Sequence, residues 1–124
     1  LEFRRVLFRS FDFSQGGVLW HCTEGKDRCG MTTALVLEAL GVDRDTILQD
    51  YLTTNQFNAA KAQAVYERIL PLRGEVFARS VQRAYIADER YIRAAWDAMG
   101  DDYLTATLRI GPEEIAQFRE KVLY

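Results

Sequence analysis

The sequence predicts an α/β domain that, in this chain, is mostly α-helical with one short buried strand near its start. The strand is predicted from an apolar run, Val18-Leu19-Trp20, that follows Gly16-Gly17, although so short a run does not by itself exclude a helix. Residues 23–27 contain no apolar side chain and have Gly25 at their centre, which indicates a loop. Helix signals then follow one another to the C-terminus.

Capping residues and apolar spacing place the helices. The first covers Thr32 to Leu40 and ends at Gly41, a residue type that commonly terminates helices. We expect further helices after Asp43 (fading at 53–55), over 58–70, 75–87, 88–99 and 101–109, and from Gly111-Pro112 onward. A single buried strand needs partner strands, so this imbalance predicts that N-terminal strands are missing from the chain.

Composition restricts the class of protein. At 124 residues the chain is one domain at most, and 48% hydrophobic with 27% charged residues is ordinary for a globular protein. A net charge of −2 gives no general attraction to nucleic acid, and no apolar run approaches the ~20 residues of a membrane span. The two cysteines cannot build a disulfide framework, so a cytoplasmic location is the default. Secretion stays open, because a signal peptide would lie in the missing part.

The first ten residues, LEFRRVLFRS, are interpreted as a sequencing-adapter or vector artefact. Val6 to Ser10 can be back-translated into the end of a common adapter, and Glu2-Phe3 into a cloning site. A natural basic segment is the alternative. Residues 11–124 are then the C-terminal part of a single domain.

The chemistry is concentrated where the predicted strand, loop and helix follow one another. This order directs backbone N–H groups and the positive end of a helix at one point, which suits an oxyanion. Cys22 begins the loop, and such surroundings can lower a cysteine pKa from ~8.5 to ~3.5–7.5. The planar guanidinium of Arg28 suits two phosphoryl oxygens. A nucleotide-binding loop is excluded, since Gly25-Lys26 is followed by Asp27 rather than Ser or Thr.

His21-Cys22-x5-Arg28 resembles the signature loop of the cysteine-based protein tyrosine phosphatase superfamily. The string from His21 to Arg28 is similar to a bacterial and fungal branch whose loop reads HCxAGKDRT, and which includes mycobacterial secreted phosphatases acting on phosphoproteins and phosphoinositides. The likeness runs from about Val18 to the C-terminus and is loose in the helices. It implies a tyrosine phosphatase-like fold and hydrolysis of phosphomonoesters through a phosphocysteine, without cofactor or metal.

The resemblance also implies roles for individual residues. Cys22 matches the nucleophile, Arg28 the phosphate-binding arginine, and His21 a histidine that orients the loop. Asp27 is the candidate general acid, and Lys26 the candidate for holding further substrate phosphates. The backbone cradle for the phosphate comprises Thr23, Glu24, Gly25, Lys26, Asp27 and Arg28. The expected partner is a phosphorylated protein or a phosphoinositide, with dual specificity open and no nucleic acid or stable membrane insertion; the oligomeric state is left open.

Two residues depart from the family pattern. Glu24 adds a negative charge where the family has a small residue, which would weaken binding of highly anionic substrates. Cys29 replaces a Thr or Ser whose hydroxyl stabilises the leaving thiolate, and a thiol is a weaker donor. A catalytically dead phosphate-binding module is therefore the main alternative. A rhodanese-like sulfurtransferase is a further alternative function. For Cys29 itself, the alternatives are a purely structural role and a reversible disulfide with Cys22.

Overall fold

The computed structural model describes residues 16–123, whose regular structure is helical throughout. The segment interpreted as an artefact, residues 1–10, lies outside the described residues. The elements in chain order are α1 (Asp27–Leu40), α2 (Arg44–Arg83), α3 (Glu89–Met99), a π-helix (Tyr103–Thr107) and α4 (Pro112–Leu123). The mostly α-helical character predicted from the sequence is therefore confirmed.

The predicted buried strand at Val18-Leu19-Trp20 is wrong. These residues have no regular secondary structure, and the Leu19 side chain is 87% exposed. Val18 and Trp20 are half-buried and pack against a small cluster that includes Phe118 of α4. The indole Nε1 of Trp20 also donates to Thr33 Oγ1 at 3.2 Å. A strand requires a neighbouring strand for its backbone hydrogen bonds, and the described part of the chain offers none. An apolar run alone does not show whether such a neighbour exists.

Helix α1 starts earlier than its apolar pattern indicates but ends where predicted. It begins at Asp27 rather than Thr32, because Lys26 is its N-cap and the polar residues that follow are already helical. Its end at Gly41 is confirmed: the glycine has φ 87°, and its N–H donates to the Glu38 carbonyl at 2.9 Å. The next N–H, of Val42, donates to the carbonyl of Leu37. These bonds satisfy carbonyl groups that the helix end would leave unpaired.

Helix α2 is longer than predicted. It continues through residues 53–55, because the amide of Asn55 does not compete for its own backbone. Instead Asn55 donates to the Ala87 carbonyl at 2.8 Å and accepts from the Ala87 N–H at 2.7 Å. The helix also passes Pro71, where a stop was predicted, and is broken only at Gly74, with φ 77° and ψ 170°. The predicted boundaries at 58 and 70 are thus wrong, whereas the predicted helix start at 75 is confirmed, because the second arm begins directly after Gly74.

The break at Gly74 folds α2 back on itself. The two arms run antiparallel, since Gln82 Nε2 donates to Gln63 Oε1 at 3.2 Å and the Arg79 guanidinium lies 5.6 Å from the Tyr66 ring centroid. The second arm ends at Arg83, four residues before the predicted end at residue 87. The turn that follows is held by the contacts of Asn55 with Ala87. Sequence patterns within one helix do not show these long-range contacts.

The C-terminal elements follow the sequence more closely. Asp88 is the N-cap of α3, accepting from the Arg90 N–H, and Pro112 opens α4, both as predicted. The helix expected over 101–109 is instead a π-helix, closed by the Leu108 N–H donating to the Tyr103 carbonyl at 2.9 Å. No helix within residues 16–123 combines the length and the apolar character needed to cross a membrane.

The core holds α1 in place. Its main cluster joins α1, α2 and α3 through Ala34, Ile47, Leu48, Tyr51, Ala87, Ile92 and Trp96. On the other side of α1, the guanidinium Nε of Arg119 in α4 donates to the Ala39 carbonyl at 2.7 Å. Helix α1 is thus packed on two sides, and its N-terminal end carries the loop that the sequence singles out.

Candidate active site

Residues 23–26 form a bend that leads directly into the first turn of α1. Gly25 has φ 66°, a left-handed conformation that other residues rarely adopt. Lys26 is the N-cap of α1, and its carbonyl accepts the Gly30 N–H at 2.8 Å. The N–H groups of the loop and the positive end of the α1 dipole therefore share one location, as the sequence predicts.

The thiol of Cys22 receives hydrogen bonds from the first turn of α1 and from this loop. Its donors are, in order of effect, the backbone N–H of Cys29, the Cys29 thiol, and the N–H groups of Glu24 and Gly25. Together they outweigh partial burial and lower the pKa of Cys22 from its ordinary 9.0 to about 6. Hydrogen bonds to the charged form stabilise it, so thiolate is the main form of Cys22 at neutral pH.

Cys29, in the first turn of α1, differs from Cys22 in its ionisation. Burial of Cys29 is the main cause that raises its pKa above the ordinary value, and the hydrogen bond between its thiol and Cys22 is the second. Cys29 therefore stays a neutral thiol and donates to the Cys22 thiolate. The structure thus brings together two cysteines that lie seven positions apart in the sequence.

Arg28 follows the loop and reaches back across it. Its side chain is exposed, and Nη2 donates to Thr23 Oγ1 at 3.3 Å. This contact keeps the guanidinium on the same side of the loop as the residue that follows Cys22. In that place it is available to an anion bound at the loop.

Lys26 and Asp27 contact each other, and their exposures differ. The Lys26 side chain is 3% exposed, and its Nζ lies 2.8 Å from Asp27 Oδ1 and 5.5 Å from the Tyr91 ring centroid. The Asp27 side chain is 64% exposed. The Lys26 ammonium is thus held between a carboxylate and an aromatic face. Its role in holding further phosphates, and that of Asp27 as general acid, stay predictions.

Glu24 has a partner that the sequence analysis missed. Its carboxylate Oε2 lies 2.6 Å from Lys61 Nζ, on the first arm of α2. The same ammonium lies 5.1 Å from the Tyr85 ring centroid. The extra negative charge of the loop is therefore paired within the protein. No sequence signal indicates this pair, because its members lie 37 positions apart and Lys61 is one cation among several.

Gly30, in the first turn of α1 next to the loop, packs closely against Tyr51 of α2. A Cβ atom on Gly30 would lie 2.8 Å from Tyr51 Cδ2, so only glycine allows α2 to pack this close to the first turn of α1. The ring of Tyr51 is buried. This burial and, to a smaller extent, the nearby negative charge of Asp27 raise the pKa of Tyr51 to about 12. Tyr51 is a supporting residue that the sequence analysis did not single out.

Other features bear on cofactors and on substrate. His21 is exposed, and its orienting role stays a prediction. Within residues 16–123, no group of three or more His, Cys, Asp or Glu side chains has the geometry to hold a metal ion. An open cavity of about 580 Å³ borders Tyr91, the residue that also contacts Lys26, and Arg79, Ser80 and Arg83 are among its other lining residues.

A low-pKa thiol, a glycine-containing loop, a helix N-terminus and an arginine together define an oxyanion-binding site with a nucleophile in it. The chain belongs to the tyrosine phosphatase family, whose family model matches residues 2–124. The match begins within the segment interpreted as an artefact, and that interpretation stays a prediction.

Curated relatives agree with this family. A protein of Cupriavidus necator, provisionally named a tyrosine-protein phosphatase, is 39% identical over 113 residues, covering 86% of this chain and 40% of its own length. The triple specificity protein phosphatase PtpB of Mycobacterium tuberculosis is 49% identical over 71 residues, covering 52% of this chain and 26% of its own. The chain thus spans less than half the length of these relatives. No solved structure gives a significant match.

Proposed function

We propose that the chain carries the nucleophilic centre of a phosphatase that hydrolyses phosphomonoesters through a phosphocysteine. The observation that supports this most directly is the set of hydrogen bonds that the loop and the first turn of α1 donate to Cys22, which lowers the pKa of its thiol to about 6. Thiolate is the reactive form of cysteine, and here it faces the same N–H groups that an oxyanion would use.

In the proposed first step, the Cys22 thiolate attacks phosphorus in line with the leaving oxygen. The S–P bond forms as the P–O bond breaks, while the loop N–H groups and Arg28 hold the equatorial oxygens. The leaving oxygen needs a proton. Asp27 is the proposed donor, because its exposed carboxyl stands at the rim of the loop.

In the second step, water attacks the phosphocysteine, and Cys22 leaves as a thiolate. Cys29 is the proposed positioning residue for this step, since its thiol already donates to Cys22. A thiol donates more weakly than a hydroxyl, so the phosphoenzyme should accumulate. The pairing of Glu24 with Lys61 supports activity rather than a dead module, because it removes an unpaired carboxylate from the anion site.

The substrate range is proposed to include phosphotyrosine, phosphoserine and phosphothreonine, and phosphoinositides. The relative PtpB carries triple specificity in its name. The cavity beside Tyr91 supports multiply charged substrates, because Arg83 and Arg79 line it next to the residue that contacts Lys26. Arg79 is already paired with Glu75, its nitrogen and oxygen lying 2.7 Å apart, which leaves Arg83 as the stronger candidate contact. The compartment stays a prediction.

The test is steady-state hydrolysis of aryl phosphates with good and poor leaving groups. We expect Cys22→Ser to abolish turnover, and Asp27→Asn to slow the poor leaving group far more than the good one. Arg93→Ala, on α3, is the matched surface control. Phosphate-analogue binding without turnover by the parent chain would favour the phosphate-binding module. Equal slowing of both substrates by Asp27→Asn would remove Asp27 as the acid.

A further inference from the structure

A buried lysine side chain lies next to the proposed proton donor. Among residues 16–123, Lys26 alone combines a charged group with a buried side chain. Removing an ammonium from water costs free energy unless other charged or polar groups replace the water. The groups that replace it here are the Asp27 carboxylate, 2.8 Å from Nζ, and the Tyr91 ring, whose centroid lies 5.5 Å from Nζ. The fold therefore holds this charge in one place at the start of α1.

We propose that Tyr91 is a positioning residue for the first step of the reaction, and that it acts on the proton donor Asp27 through Lys26. This inference rests on the proposed function, in which Asp27 protonates the leaving oxygen. The sequence analysis assigns Lys26 to substrate phosphates and gives Tyr91 no role. The ammonium, held between Asp27 and Tyr91, faces groups of the protein itself.

The contact with Lys26 fixes which oxygen of Asp27 carries the proton. Lys26 Nζ donates to Asp27 Oδ1 at 2.8 Å. Because Oδ1 accepts from the ammonium, the carboxyl proton is carried by Oδ2, on a side chain that is 64% exposed. As that proton passes to the leaving oxygen, negative charge develops on the carboxyl group beside the ammonium. The contact thus becomes stronger during the transfer, and an interaction of this kind lowers the barrier.

Tyr91 holds the other side of the ammonium. It lies in the first turn of α3, where its N–H donates to the carbonyl of the N-cap Asp88 at 2.9 Å. Lysine has a flexible four-carbon stem, so a carboxylate alone does not fix the position of its ammonium. The aromatic face attracts the ammonium and shields it from water, which strengthens its contact with Asp27. A residue from a different helix thereby affects proton transfer at the loop.

The experiment compares kcat/KM for phenyl phosphate, whose leaving oxygen needs a proton, with kcat/KM for para-nitrophenyl phosphate, whose leaving oxygen has little need of one. This ratio reports the first step even where the phosphoenzyme accumulates. We expect Tyr91→Leu to slow phenyl phosphate about three- to tenfold and para-nitrophenyl phosphate much less, because it removes a desolvated cation–π contact. Tyr91→Phe keeps the aromatic face and should retain the parent value. Tyr66→Leu, which removes a similar contact with Arg79 on α2, is the matched control.

A double-mutant cycle tests whether Tyr91 acts through Asp27. In an Asp27→Asn background, Tyr91→Leu should cause no further slowing of phenyl phosphate hydrolysis, because the proton donor is already absent. A purely structural role predicts the same loss in both backgrounds and for both substrates, and that result would overturn the inference. Thermal melting checks that Tyr91→Leu is folded. Slowing of phenyl phosphate by Tyr91→Phe as large as that by Tyr91→Leu would also overturn the inference, because the aromatic face would then not be the cause.

Lysine acetylation tests the contact without turnover. In native protein, N-acetoxysuccinimide should modify Lys26 on the order of tenfold more slowly than the exposed Lys121, because the Lys26 ammonium is paired and desolvated. Cleavage after glutamate places these two lysines in peptides 25–38 and 121–124. Tyr91→Leu should remove much of this protection, whereas Tyr91→Phe and Tyr66→Leu should keep it. Equal protection of Lys26 in the parent chain and in Tyr91→Leu would refute its positioning by Tyr91.

The failure of this inference and the failure of the proposed function give different results. A parent chain that hydrolyses neither aryl phosphate would refute the proposed function, and with it the role of Tyr91 in proton transfer. Turnover that Asp27→Asn slows for phenyl phosphate, but that Tyr91→Leu leaves unchanged, would refute the role of Tyr91 alone.

Discussion

The Glu24 carboxylate and the Lys61 ammonium lie 2.6 Å apart and join the loop around Cys22 to the first arm of α2. The hydrogen bond to Glu24, together with the negative charge of that carboxylate, raises the pKa of Lys61. The lysine therefore stays charged over the working pH range. The pair both anchors the loop and compensates a negative charge beside an anion site. It is the reason why the expected penalty of Glu24 on anionic substrates should be small in this chain.

Removing the lysine should expose that penalty. Lys61→Ala leaves the Glu24 carboxylate unpaired near the bound phosphate, and we expect KM for an aryl phosphate to rise up to about fivefold, which corresponds to the ~0.2–1 kcal/mol of an exposed ion pair. The double variant Glu24→Ala/Lys61→Ala should recover most of the loss. Arg93→Ala, which removes an exposed pair on α3, is the control. An unchanged KM in Lys61→Ala would show that the pair does not affect the site.

The contact between Gly30 and Tyr51 predicts that a glycine-to-alanine substitution inside this helix lowers the stability of the protein instead of raising it. Replacing glycine by alanine inside a helix normally stabilises it, by ~0.5–1 kcal/mol. At Gly30 the new Cβ would lie 2.8 Å from the buried Tyr51 ring, so we expect destabilisation of about 1–3 kcal/mol. Thermal melting measures it. Gly111→Ala is the control, because the nearest atom there lies 3.7 Å away. A Gly30→Ala protein as stable as the parent would refute this close packing.

Asn55 should contribute more stability than Asn58. Asn55→Ala leaves the Ala87 N–H and carbonyl without partners at a buried residue, which should cost about 1–3 kcal/mol. Asn58→Ala removes a single bond to the Tyr85 carbonyl, 3.2 Å long, and should cost less. Urea unfolding of both variants, analysed with the same dependence of the free energy of unfolding on urea concentration, measures the difference in their stability. Equal losses would show that the turn after α2 does not depend on the paired amide.

The ionisation of Cys22 predicts how stability and reactivity depend on pH. Its pKa falls from 9.0 to about 6 on folding, so between these values the unfolded chain binds more protons than the folded one. The stabilising contribution is complete above pH 9 and is lost as pH falls toward 6. We expect Cys22→Ser to remove this rise in melting temperature. Iodoacetamide should alkylate Cys22 with a midpoint near pH 6, and a midpoint near 9 would contradict the loop geometry.

Cys29 offers a way to separate the thiol donor from the backbone donors. Cys29→Ala keeps the N–H of residue 29 but removes its thiol, so the alkylation midpoint of Cys22 should rise only partly toward the ordinary value. Cys29→Thr supplies a stronger donor and should raise the steady-state rate by speeding hydrolysis of the phosphoenzyme. A lower steady-state rate in Cys29→Thr, with unchanged phosphoenzyme formation, would contradict this role for residue 29.

The sequence predicts the loop better than the surroundings that hold it. Gly25, Cys22 and Arg28 lie within seven consecutive positions, and their spacing alone brings them together at a helix start. The N-caps at Asp43 and Asp88 and the helix start at Pro112 are local as well, and all three are found as predicted.

The failures concern contacts between distant residues. The strand at Val18 to Trp20 is absent because its partners are not among the described residues. The predicted stop at 53–55 is absent because Asn55 bonds to Ala87, 32 positions away. Lys61 was likewise not predicted, because Glu24 reaches it only after α2 has packed against the loop. Local propensity does not contain this information.

The central claim is that Cys22 accepts a phosphoryl group, and trapping that group tests it most directly. The chain would be mixed with an aryl phosphate, quenched in acid within milliseconds and digested, and the mass of peptide 10–26 measured. We predict one phosphoryl group on Cys22, formed in a burst before steady turnover and absent from Cys22→Ser. An unmodified Cys22 at every quench time, in a chain that releases the phenol, would contradict the account.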